Sequence, residues 1–152
     1  DPMSLVQPGG IEPMAATRLE YRHGSRALRV MERIAKNPRE ARVVCECEPV
    51  LEAEVRYVVE HELARSVDDV ARRTRLGLGA CGGMRCAARC GALVAQMKDR
   101  SPESGRRDAL RFLAGAFQRR APAVKSEQAR QEALALAHLG AELGSGSDEE
   151  SS

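Results

Sequence analysis

Apolar residues recur at steps of three and four along most of the chain, the mark of helices with one buried face. A helix capped by Ser25 is predicted through about Lys36, with Leu28, Met31, Ile34 and Ala35 on one side, and Asn37-Pro38 ends it. Ala41–Val44 reads as a short extended approach to a first cysteine pair. Pro49 suits the first turn of a second helix, which carries Val50, Leu51, Val55, Val58, Val59 and Leu63. Ser66 caps a third, with Asp68 and Asp69 in its first turn, Val67, Val70 and Ala71 inward, and Gly77 and Gly79 as its stop. After a Gly-rich loop, Ala87, Cys90, Leu93, Val94 and Met97 mark a helix from about Cys86 into Lys98. Asp99–Gly105 reads as a polar break. Helices follow over Asp108–Phe117 and Ser126–Leu143, the last with Ala129, Ala133, Leu136, Ala137 and Leu139 on one side. Residues 1–16 lack periodicity and read as a loop or disordered lead, and the Gly, Ser and acid of Gly144–Ser152 as a disordered tail. The expected fold is a small, mainly α (all-α) domain with a helix-turn-helix-like core and C-terminal helices.

Composition narrows the function more than the fold. The length of 152 residues suits one domain. Two Tyr, two Phe and no Trp argue against an aromatic-rich β-sandwich and against the ring platforms that stack single-stranded bases. A net charge of +2 implies no polyanion, so no nucleic-acid partner is expected. Arg outnumbers Lys 21 to 3, which a GC-rich genome explains as well as a charge design does. No apolar run approaches the ~18–20 residues that cross a bilayer, and the N-terminus lacks a signal pattern; Asp1-Pro2-Met3-Ser4 resembles a cloning remnant. Five cysteines, four of them in two tight clusters, suit a metal site in a reduced cytosolic compartment better than a disulfide framework.

Those clusters are the strongest signal. Cys45-Glu46-Cys47 is followed, after 33 intervening residues, by Cys81-Gly82-Gly83-Met84-Arg85-Cys86, a C-x-C…C-x4-C pattern. Each pair abuts a predicted helix start, where the dipole and free N–H groups stabilise thiolates. Structural zinc usually takes pairs spaced by two to four residues, so C-x-C is unusual for it while C-x4-C is allowed. A [2Fe–2S] cluster needs four thiolates around a wider object and, oxidised, carries a formal charge of about −2 with its ligands. Arg72, Arg73, Arg75, Arg85 and Arg89 would offset that charge or greet an acidic redox partner; the plainer alternative makes Arg72 and Arg73 a solvated helix face. Cys90 shares a helix face with Cys86 and is expected to be a small core residue. Free thiols or a disulfide are the plain alternative for the other four.

Val44-Cys45-Glu46-Cys47-Glu48, Glu54-Val55-Arg56-Tyr57, and Arg72-Arg73-Thr74-Arg75-Leu76-Gly77-Leu78-Gly79-Ala80-Cys81 through Cys86 and Arg89 closely resemble the C-terminal domain of FAD-dependent anaerobic glycerol-3-phosphate dehydrogenases. That domain belongs to the bacterioferritin-associated-ferredoxin-like [2Fe–2S]-binding group. Tyr21-Arg22-His23-Gly24-Ser25-Arg26 looks like the family's link from flavin domain to cluster domain, and Phe112-Leu113, Arg119-Arg120 and Pro122 loosely resemble its tail. Gly82 stands where the family has Gln and Leu78 where it has Met; the spacing is C-x4-C rather than the C-x-x-C of the stand-alone ferredoxins.

The resemblance implies a [2Fe–2S] cluster on Cys45, Cys47, Cys81 and Cys86, both cofactor-binding and metal-ligating, and no catalytic residue in this chain. The parent enzyme oxidises sn-glycerol 3-phosphate to dihydroxyacetone phosphate on FAD and passes electrons towards quinone. This chain has no room for a Rossmann FAD domain, and Gly77-Leu78-Gly79-Ala80-Cys81-Gly82 follows a helix rather than a strand, so it is no dinucleotide fingerprint. The expectation is an excised C-terminal domain, not catalytic alone: a lead or linker over 1–20, a cluster domain over 21–98, a helical extension over 99–143 and an acidic tail over 144–152. Implied partners are its own N-terminal flavin domain and a membrane-anchoring or electron-accepting subunit, with a cytoplasmic location at the inner face of the membrane. The competing reading is a docking domain whose cysteines hold zinc or nothing; regulation by thiol oxidation is a third. His23, His61 and His138 are far apart and read as surface or cap residues, Glu46 and Glu48 as solvated loop residues, with Glu48 a candidate cap for the next helix.

Overall fold

The computed structural model describes residues 13–144, with side chains from residue 15 onward. The expectations for residues 1–12 and 145–152 lie outside the described residues. The order is α1 (Pro13–His23), a 3-10 turn (Gly24–Arg26), α2 (Ala27–Lys36), a second turn (Pro38–Ala41), β1 (Val43–Cys45), β2 (Val50–Leu51), α3 (Glu52–His61), α4 (Val67–Thr74), α5 (Ala87–Met97), α6 (Pro102–Arg120), a third turn (Ala121–Ala123) and α7 (Ser126–Glu142). The domain is mainly α, as expected, around one core.

That core takes Val30, Met31 and Ile34 from α2, Val55, Val58 and Val59 from α3, Val67 and Val70 from α4, Cys90 and Val94 from α5, and Phe112 and Leu113 from α6. The segment 99–143 is therefore no appendage in its first half, because α6 is built into the core. It has further ties there. Asp108 is buried and accepts a 2.8 Å hydrogen bond from Val67 N, so α6 supplies a cap to the start of α4 beside Ser66, which caps Asp69 N at 3.1 Å. Where α5 and α6 cross, a Cβ on Gly91 would collide with the carbonyl oxygen of Gly105, so the two backbones touch. By contrast α7 has no buried residue; Leu136 and Leu139 rest partly covered against the rest.

Several elements depart from the sequence pattern. Residues Pro13–Glu20, expected within the lead, belong to α1, whose Ala16 and Leu19 are buried. Ser25 lies in the first 3-10 turn and caps nothing; the buried face of α2 is Ala27, Val30, Met31 and Ile34, leaving Leu28 exposed. Val50 and Leu51 do not open a helix. They form β2, antiparallel to β1 with Val43 opposite Leu51 and Cys45 opposite Val50, and Pro49 lies in the hairpin turn. The helix begins only at Glu52, because the Glu54 carboxylate accepts from Leu51 N at 2.7 Å and fixes the start there. It ends at His61, so Leu63 lies outside it with a left-handed backbone and an exposed side chain. The polar break is shorter than expected: Ser101 accepts from Ser104 N at 3.2 Å and Pro102 opens α6.

Candidate metal centre

The first cysteine bend is the β1–β2 hairpin. Cys45 ends β1 and is buried, while Cys47 sits in the turn and is exposed. The bend therefore abuts a strand pair rather than a helix start. It is gripped from outside by Arg22 of α1, whose guanidinium donates to the Glu48 carbonyl at 2.8 Å and, more weakly, to the Pro49 carbonyl at 3.5 Å. The same guanidinium donates to Glu54 at 2.5 Å, and His23 Nε2 lies 2.9 Å from that carboxylate oxygen. Glu54 is wholly buried and the Arg22 side chain is 8% exposed. Expected as a surface or cap residue, His23 is instead buried, edge-on to Tyr57 with ring centroids 6.3 Å apart. His61 and His138 are exposed; His61 stacks obliquely on Tyr57 and His138 pairs with Glu142 at 3.1 Å.

The second bend is shaped by its own backbone. Arg75 ends α4 in a left-handed conformation, and tight turns follow: Gly82 N to Gly79 O at 2.9 Å, Met84 N to Cys81 O at 3.2 Å and Cys86 N to Gly83 O at 3.1 Å. Cys81 is half-buried, whereas Cys86 is buried at the cap position of α5. The C-terminal helices close over this bend. Phe112 packs where side chains on Gly77 and Gly83 would have to go, and Arg120, paired with Glu132 at 3.1 Å, lies across Gly82. A cavity of about 260 Å³ between α6 and α7, lined by Met84, Leu113, Phe117 and Leu136, opens onto Cys81.

The four thiols meet across the bends in two pairs. Cys45 lies close enough to Cys86, and Cys47 to Cys81, for the sulfurs of the first bend to act on the titration of those of the second. A Cβ on Gly79 would stand 2.5 Å from the Cys47 Cβ, so only a glycine lets the second bend lie against the first at that point. Carboxylates alternate with the thiols in the same register: Glu46 pairs with Arg85, and Glu48 with Arg75 at 3.1 Å. Residues 45, 46, 47 and 48 thus meet 86, 85, 81 and 75 in turn. Glu46 is exposed in the turn, as expected, and Glu48 half-buried; both still link the bends, and the cap for α3 comes from Glu54 rather than Glu48. Of the other arginines, Arg72 pairs with Asp68, and Arg73 reaches Asp69 at 3.7 Å and Glu62 at 3.9 Å, so both run along the acidic flank of α4. Among the described residues no three His, Cys, Asp or Glu form a ready cage for an ion.

Electrostatics separate the thiols. Burial pushes the Cys86 thiol well above its ordinary value, and the Cys45, Cys81 and Cys47 sulfurs add to the shift. Cys81 goes the other way. Burial works against its thiolate, but the N–H groups of Arg85 and Gly83, the Cys47 thiol and the Arg85 charge outweigh that and lower its pKa. Cys90 lies wholly buried beneath Cys86, and burial raises its pKa strongly. It is a core residue.

Arg22, Glu54, Phe112 and Arg120 stand in the segments that carry the family resemblance, but the sequence assigns none of them the part it plays here, holding the bends. A carboxylate three positions after Leu51 was a readable capping signal; the contacts of Arg22 across 26 to 32 residues had none.

A family model for the C-terminal domain of alpha-glycerophosphate oxidase matches residues 2–104. The chain belongs to this family. It is 37% identical over 93 residues to a subunit of the anaerobic glycerol-3-phosphate dehydrogenase of Haemophilus influenzae, a match that covers 61% of this chain and 16% of that protein. To the corresponding protein of Escherichia coli K12 it is 40% identical over 103 residues, covering 59% and 18%. A glycerol 3-phosphate dehydrogenase of Caloramator mitchellensis is 35% identical over 66 residues, covering 43% and 14%. The chain thus spans less than a fifth of the length of these curated relatives. No solved structure matches it. The family segment holds both cysteine bends and α1–α5, and stops as α6 begins.

Proposed function

We propose that this domain is the electron-relay end of an FAD-dependent glycerol-3-phosphate dehydrogenase, with Cys45, Cys47, Cys81 and Cys86 holding a [2Fe–2S] cluster. The observation that carries the proposal is the close approach of the two cysteine bends, where Gly79 lies against the Cys47 Cβ, with Cys45 beside Cys86 and Cys47 beside Cys81. Four thiols in two pairs are the donor set of a binuclear centre with two ligands per metal. When bound, such a centre takes up and releases single electrons. The chain's own residues prepare the place. Backbone N–H groups of Gly83 and Arg85 favour the Cys81 thiolate, and burial of Cys45 and Cys86 excludes water from one side. Arg75 and Arg85 keep positive charge beside the sulfurs, moderated by Glu48 and Glu46.

In this reading, residues 21–98 are the bacterioferritin-associated-ferredoxin-like unit and 99–143 its helical cover. Electrons come from the FAD of an N-terminal flavin domain that oxidises sn-glycerol 3-phosphate to dihydroxyacetone phosphate. They leave towards quinone, on the cytoplasmic side of the membrane, through an electron-accepting or membrane-anchoring partner. Among the described residues no helix is long and apolar enough to cross a membrane, so in this reading attachment comes through that partner.

The test is anaerobic purification with iron and acid-labile sulfide analysis. About two of each per chain are expected, with visible absorbance that dithionite bleaches. A colourless protein with stoichiometric zinc overturns the proposal and leaves a docking domain with a structural zinc.

A further inference from the structure

Arg22 lies outside both cysteine bends, yet it is the side chain most deeply committed to the first. Its buried guanidinium spans the Glu48 carbonyl at 2.8 Å and the Glu54 carboxylate at 2.5 Å. Glu54 in turn holds Leu51 N at 2.7 Å and His23 at 2.9 Å. One fork thus ties the backbone just after Cys47 to the start of α3 and to the end of α1. Glu48, whose carbonyl it holds, uses its carboxylate to reach Arg75 at the edge of the second bend. Each link is short, and the Arg22 and Glu54 side chains are nearly or wholly sealed from water. A planar fork reaching a carbonyl and a carboxylate at once is a geometry that a lysine ammonium does not reproduce.

We infer that Arg22 is a positioning residue of the cysteine site: it fixes the hairpin turn so that Cys47 meets Cys81. The inference rests on the four-thiolate reading only for its metal-binding consequence; the fixing of the hairpin stands apart from it. Supporting groups behind metal ligands typically change affinity by about 10- to 100-fold when removed.

The test uses the full 152-residue chain, metal-free and anaerobic, with cobalt(II) as probe. Sulfur-to-cobalt charge-transfer absorption reports thiolate ligation. Arg22→Met should weaken cobalt binding about tenfold or more, and Arg22→Lys should restore part of the loss. The control is Arg33→Met, which removes ion pairs to Glu40 and Glu60 instead of contacts at the bends. It should leave cobalt affinity within about twofold of the starting protein even where it lowers the thermal midpoint as much. A second readout needs no metal: amide exchange across residues 45–51, taken relative to α5, should speed up in Arg22→Met and not in Arg33→Met. Equal effects of the two variants, in affinity or in exchange, would overturn the inference. If the unmutated chain shows no thiolate–cobalt absorption, it is the four-thiolate reading that fails, and the exchange experiment still decides the role of Arg22.

Discussion

The first bend contains no glycine and is held from outside, by Arg22 behind its turn and by Glu54 at the start of α3. The second holds Gly77, Gly79, Gly82 and Gly83, makes its own backbone turns, and is covered by Phe112 and Arg120. A bend fixed by remote side chains depends on few atoms, each of them indispensable. A bend fixed by its own backbone tolerates changes in the side chains around it but none in its glycines. The two should therefore break in different ways.

The largest effect is expected at Glu54. Replacing it by Leu leaves the Arg22 guanidinium buried without its carboxylate, and breaking such a buried pair costs about 3–5 kcal/mol. Urea unfolding should show a midpoint shift of that size; a shift under about 1 kcal/mol would mean that the grip on the first bend is ornamental. Next comes the second bend. Gly79→Ala sets a methyl group 2.5 Å from the Cys47 Cβ, an overpacking that costs about 1–3 kcal/mol and should also lower metal loading. Full loading in that variant would mean that the bends can part and still share a centre.

A smaller effect concerns pH. Glu52, first residue of α3, is buried, which works to raise its pKa, but hydrogen bonds from Arg42 and Arg56 outweigh this and hold it below the usual 4.5. A carboxylate depressed in the folded state contributes stability that is present above its unfolded value and lost as pH falls through the folded one. The urea midpoint should therefore drop below about pH 4.5, by an amount worth roughly 1 kcal/mol given how exposed Arg42 is, and Glu52→Gln should flatten that part of the profile. The smallest effect belongs to the stitch between the bends. Arg75→Gln removes an exposed pair with Glu48 and should leave the midpoint of the same unfolding nearly unchanged.

How much of this was legible from sequence varied with the range of the interaction. The helices α3, α4, α5 and α7 announce themselves by period, and Ser66 by its acids two and three places on, because those signals are local. The hairpin is hidden in the sequence because Val50 and Leu51 look the same at the start of a buried helix as in a two-residue strand; only pairing with Val43 and Cys45 distinguishes them. Ser101-Pro102 was a local signal for α6, submerged in a run of polar residues. At the site, spacing picked out the cysteines and the glycines. The pairing of particular acids with particular arginines across the bends could not be read, since charges on loops carry no register.

The contact of Gly91 with Gly105 makes α5 and α6 behave as one welded post. Cys86 stands at the foot of that post, and Phe112 and Arg120 are carried on its other half. A single methyl group at either glycine acts as a wedge between the halves. It would lift the roof off the sulfurs without touching any residue near them, so damage at that crossing would look like a defect of the metal centre.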